Sequence, residues 1–116
     1  RDHRSLEAWV EARGVAEACF HLARDAWKPW CAALFSQLQR SALSVQLNLT
    51  EGYAYGPGPT CARHYAIAYG SAMETGDLLD MLLAIRGAEA DALGVVLRRN
   101  RRCQRLVLGL LKRARE

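Results

Sequence analysis

The chain has 116 residues, 51% apolar and 24% charged, enough to bury one core without disulfide or metal staples. It is basic, at +4 and a pI near 9.1, and has no uncharged apolar run long enough for a membrane span. Aromatic residues are few and Ala, Leu and Arg abundant, which favours helix over sheet, and only nine glycines argue against a collagen-like or disordered chain.

Four helical stretches separated by three breaks are predicted within a single domain, residues 1–116. Ser5 can cap a first helix running to about Arg24, with Leu6, Trp9, Ala16, Phe20 and Ala23 spaced three or four apart. A break over Asp25 to Lys28 follows, and Pro29 suits the first turn of a second helix reaching Gly52. Gly56-Pro57-Gly58-Pro59 is the strongest loop signal in the chain. Thr60 is then placed to cap a third helix that runs to Arg86 and closes on Gly87. The fourth spans about Glu89 to Ala114. No segment alternates with period two, so the expected fold is all-α, an antiparallel up-down-up-down four-helix bundle.

Helix two is amphipathic in an unusual way. Leu34, Leu38, Ala42, Val45 and Leu49 share one face, Leu43 and Leu47 lie apart from it, and between them runs a polar line of Gln37, Arg40, Ser44, Asn48 and Glu51. A polar line bordered by leucine on both sides predicts a helix packed on two sides, against its own core and against a second subunit. In helix three, Glu74 falls in a row with Ile67, Ser71, Leu78, Met81 and Ile85. A carboxylate in an apolar row needs a partner, and folding the hairpin near Gly56 puts Arg40 opposite about residue 72. An Arg40–Glu74 ion pair is therefore expected, with Glu51 satisfied by Arg63 or His64.

Charge is distributed unevenly. Between Ala92 and Arg115 there are eight basic side chains and no carboxylate. Six of them, Arg98, Arg101, Arg102, Arg105, Lys112 and Arg113, fall within an arc of about 120° along roughly 22 Å of helix four. Leu93, Val96, Leu97, Val107, Leu110 and Leu111 occupy the other side. A row rich in guanidinium suits phosphate oxygens. No aromatic residue interleaves it, so contacts to the backbone of RNA or DNA are expected, with little sequence preference.

Enzymatic and cofactor signals are weak. The four cysteines are scattered without a C-x-x-C pair and read as buried thiols. Cys61-x-x-His64 lacks a second pair of metal ligands and a third group to orient a nucleophile. No Glu-x-x-His pair supports a di-iron bundle. No enzyme activity, metal or cofactor is expected. Tyr53, Tyr55, Tyr65 and Tyr69 gather around the loop and read as packing at one end of the bundle. With no signal-peptide-like apolar stretch at the start, a cytoplasmic location is expected.

Ser36-Gln37-Leu38, Arg40, Ala42, Ser44, Asn48 and Glu51-Gly52 resemble the S-Q-L-x-R-x-A-x-S-x-x-x-N-x-x-E-G signature of a family of four-helix-bundle proteins. These are encoded in intervening sequences of bacterial large-subunit rRNA. Leu6-x-x-Trp9 and Ile67-Ala68-x-Gly70-Ser71-x-x-Glu74 match the same family in order and spacing. The resemblance implies a small cytoplasmic, non-enzymatic protein assembling as a homopentamer. It also extends to the Avd-like accessory proteins of diversity-generating retroelements, which implies nucleic acid, most of all RNA, and a reverse transcriptase as partners. Ala66 and Tyr69 replace basic residues frequent early in helix three of the family, so the charge here has moved to helix four. The function read from this is an oligomeric nucleic-acid-binding adaptor; the alternative is an oligomeric protein–protein scaffold without nucleic acid.

Overall fold

A computed structural model of the chain describes residues 2–116. Four helices, α1 (Glu7–Ala26), α2 (Ala32–Tyr55), α3 (Pro59–Ala84) and α4 (Ala90–Ala114), pack into a bundle of 43 × 22 × 21 Å. Short connections make each helix antiparallel to the next. α1 packs beside α2, α2 beside α3, α3 beside α4 and α4 back beside α1, so the four form a square. No strand is present among the described residues.

The helix ends differ from expectation in ways the backbone explains. Ser5 does not cap α1. It lies in a single 3₁₀ turn, His3–Ser5, with its hydroxyl on the Asp2 carbonyl at 2.8 Å, and α1 begins two residues later. Pro29 likewise opens a 3₁₀ turn, Pro29–Cys31, before α2. α2 runs three residues past Gly52, because the bend is made by Gly56 and Gly58, both at positive φ. Pro59 is already the first residue of α3, so Thr60 is inside the helix rather than its cap. At the other end of α3 the left-handed residue is Arg86 (φ 57°), not Gly87. Gly87 N–H donates to the Leu82 carbonyl at 2.8 Å and Arg86 N–H to that of Leu83 at 3.3 Å, the paired bonds of a Schellman ending. Glycine is needed at 87 for space: a Cβ there would lie 2.7 Å from the buried Leu82 side chain.

The core has two layers. Phe35, Leu38, Leu79, Leu82 and Leu93 fill the half near the α1–α2 turn, and Leu49, Tyr65, Val107 and Leu111 the half near the α2–α3 hairpin. The expected core faces of α2 and α4 are buried, except that Leu34 and Leu110 are only half-buried. Phe20, placed on the core face of α1 by its spacing, is 44% exposed. The α3 reading needs a larger correction. Its buried face is Cys61, Tyr65, Ala68, Ala72, Thr75, Leu79 and Leu82, whereas Ile67, Glu74, Met81 and Ile85 look outward.

Glu74 is therefore an exposed carboxylate, Arg40 is exposed too, and the two form no ion pair among the described residues. The cause is how the two helices are rotated about their axes, not the level at which they meet. Ser41 faces Thr75 and Ser44 faces Ser71, each pair of hydroxyls 2.8 Å apart. Glu74 lies about 100° round the helix from Thr75 and faces away.

Candidate nucleic-acid interface

α4 is the most strongly two-sided helix of the bundle. Leu93, Val96, Leu97, Asn100, Cys103, Val107 and Leu111 are buried, and the opposite side is basic. Asn100 fixes the helix to α3 by donating Nδ2–H to the Ala72 carbonyl at 3.0 Å, joined there by Gln104 Nε2 at 3.2 Å. That anchoring turns the cationic side outward.

The six expected residues do not form one uniform patch. Arg98, Arg105 and Lys112, seven residues apart, make a straight outer row with steps of about 10.5 Å, and all three are exposed. Arg101 stands to one side, over a small hollow it shares with Asp77 and Asp80 of α3. Arg102 stands to the other side and is ion-paired with Glu7 of α1. Arg113 lies at the far end, on the wall of a cleft of about 580 Å³. Among the described residues, Arg98, Arg101, Arg105, Lys112 and Arg113 have no ion-pair partner.

Arg99 was outside the expected set, and the structure gives it a defined role. Its Nε–H donates to Glu11 Oε1 at 3.0 Å, and its guanidinium lies flat on α1 where Gly14 has no side chain. A Cβ at position 14 would fall 2.0 Å from the guanidinium carbon. The signal was in the sequence. Glu7 and Glu11, four apart, meet Arg102 and Arg99, three apart, as antiparallel helices with matching charge should. Reading α4 by itself hides this, because the carboxylates come from α1.

The polar line of α2 is resolved into a hydrogen-bond chain. Asn48 donates Nδ2–H to the Ser44 carbonyl at 2.9 Å and accepts on Oδ1 from His64 Nδ1, 3.0 Å away. Glu51 approaches the same ring nitrogen at 3.4 Å, and Tyr55 stacks on the imidazole with centroids 5.6 Å apart. Of the partners expected for Glu51, His64 is the one found. Ser44 and Asn48 are half-buried between α2 and α3, whereas Gln37, Arg40 and Glu51 are exposed. The line is thus enclosed only in part by this chain. Leu43, Leu47, Ile67, Met81 and Ile85 are exposed on the same α2 and α3 surfaces.

Cys61 and His64 do not converge on a common point. Cys61 lines the end cleft beside Tyr65, while His64 faces α2. Among the described residues no three His, Cys, Asp or Glu side chains cluster as metal ligands. Burial pushes the thiols of Cys19 and Cys103 up to about 12, so both are packing groups and not nucleophiles near neutral pH. No helix among the described residues is long and apolar enough to cross a membrane.

A four-helix bundle with a cationic outer helix and a serine–asparagine ladder between its middle helices is the class of protein these features define. Residues 4–109 match the family model of the 23S rRNA-intervening sequence proteins, and the chain belongs to that family. No curated protein matches it.

Proposed function

We propose that this protein is a non-catalytic nucleic-acid-binding adaptor that works as an assembly of several copies and holds RNA by its phosphate backbone along α4. The observation that carries the reading is the row of Arg98, Arg105 and Lys112, exposed and without carboxylate partners among the described residues. A family tied to rRNA intervening sequences makes RNA the natural polyanion. Leu43, Leu47, Ile67, Met81 and Ile85, exposed beside a half-enclosed polar line, favour self-association. An accessory role beside a reverse transcriptase is a narrower form of the same proposal.

A gel-shift titration of an RNA across salt concentrations, with the mass of the same sample measured by light scattering, tests it. Binding should weaken steeply with salt. Replacing Arg98, Arg105 and Lys112 by Glu should lower the log–log salt slope by about 3. Affinity indifferent to salt and to that triple change would falsify the reading. A multimer that binds no RNA would instead support the scaffold alternative.

A further inference from the structure

The end of the bundle at the α2–α3 hairpin holds a second candidate site, separate from the outer row of α4. The end of α2, the start of α3, the end of α4 and Leu6 line an open cleft of about 580 Å³. That volume lies within the roughly 300–1,000 Å³ of small-molecule sites. Its walls are mostly apolar. Leu6, Tyr53, Cys61, Tyr65 and Leu110 contribute, and among the described residues no carboxylate lines it and Arg113 is its one charged residue.

Tyr65 forms the rigid part of the wall. It is only 6% exposed, and its ring lies so close to α2 that a Cβ on Gly52 would come within 2.6 Å of it. Burial raises the phenol above its ordinary range, with the neighbouring Cys61 adding to this and the Arg113 charge opposing it. The hydroxyl keeps its proton against the Cys61 thiol, which leaves Arg113 as the polar group this wall offers a ligand. An apolar cleft with one cation on its wall is complementary to a molecule with an apolar body and one negative end. A polyanion would find no row of charges there, and a plain hydrocarbon surface would leave Arg113 unmatched.

We propose that this cleft binds a small amphipathic carboxylate, its apolar body against Leu6, Tyr65 and Leu110 and its carboxylate on Arg113. Calorimetric titration of the full chain with decanoate and, in parallel, with decanol tests this. Decanoate should bind saturably at one site per chain, and decanol about tenfold more weakly. Arg113→Gln should bring decanoate down to the decanol level, and Ala114→Trp, which fills the cleft from the end of α4, should abolish both. Equal affinity for the two ligands, no saturable binding of decanoate, or binding untouched by Arg113→Gln would each overturn the proposal. The decanoate-to-decanol comparison needs only the unaltered protein, so the test survives a variant that fails to fold.

Discussion

Two of the four helix pairs are joined by opposite kinds of chemistry. Between α2 and α3 the contacts are short neutral ones: Ser41 to Thr75 and Ser44 to Ser71 at 2.8 Å, and Asn48 to His64 at 3.0 Å. Between α1 and α4 they are charged and lie at the surface: Glu7 with Arg102 and Glu11 with Arg99. Small hydroxyls let two helices approach closely but demand one register, since a buried hydroxyl without its partner costs about 1–3 kcal/mol. Long charged side chains reach across a wider gap and tolerate displacement, because exposed ion pairs are worth about 0–1 kcal/mol. The hairpin pair thus fixes the bundle's geometry, whereas the outer pair sets how many arginines are left for a ligand.

The comparison breaks most sharply at two glycines. Gly52 on α2 and Gly14 on α1 each face a side chain where a Cβ would clash, at 2.6 Å with the Tyr65 ring and at 2.0 Å with the Arg99 guanidinium. Tyr65 is buried and cannot retreat, so Gly52→Ala should destabilise by about 1–2 kcal/mol even after its gain in helix propensity. Arg99 can swing into solvent. Gly14→Ala should lose only the Glu11 pair, gain helix propensity, and come out within about 0.5 kcal/mol of neutral. Urea melts of the two variants decide it; equal losses would mean that the two interfaces are equally rigid.

A smaller effect sharpens the account of the hydroxyl pairs. Thr75 is completely buried and places its proton on the Ser71 carbonyl at 2.8 Å, which leaves Ser41 as donor to Thr75. Thr75→Val keeps the shape and removes the acceptor, and should cost about 1 kcal/mol. Ser41 keeps the Leu38 carbonyl at 3.2 Å as a second acceptor, which holds the loss down. Adding Ser41→Ala removes both hydroxyls together, so the double variant should lose less than the sum of the singles. Strict additivity in thermal melts would show that the pair is not coupled.

These pairings also mark what the sequence could and could not reveal. Helix number, order and the buried faces of α2 and α4 were legible, because apolar spacing and the Gly56–Pro59 loop are local signals. The facing positions of the hairpin were not, since they depend on how α2 and α3 are rotated against each other, and the small hydroxyls of Ser41, Ser44, Ser71 and Thr75 that decide it leave no mark in an apolar pattern. With Ser41 and Thr75 in the facing positions, Arg40 and Glu74 beside them are each turned about 100° outward, and the supposed pair becomes two solvated charges. The α3 stripe failed for a related reason. Its true core face is built from Ala68, Ala72 and Thr75, residues too small or too polar to outweigh the larger Ile67, Met81 and Ile85 in a hydrophobic pattern. In the candidate site the outer row of α4 could be read from one helix. The pairing of Arg102 and the placement of Arg113 in a cleft could not, because each depends on another helix.

Glu7 and Glu11 provide the test in which stability changes least and binding changes in the opposite direction. The carboxylates hold Arg102 and Arg99 against α1, and each pair is at least partly open to solvent. Glu7→Gln with Glu11→Gln should therefore cost no more than about 1 kcal/mol per site, a difference that shrinks in 1 M salt where the Debye length is about 3 Å. Neutralising them also releases two guanidinium groups beside Arg98 and Arg105 and raises the net charge of the chain by two. If α4 is the phosphate-binding surface, the double variant should bind RNA more tightly and with a steeper salt dependence than the unaltered protein. If RNA is held elsewhere, affinity should rise only by the weak long-range effect of added charge, and the salt slope should stay where it was. A gain in slope with almost no loss in stability is an outcome that a purely structural role for these glutamates does not produce.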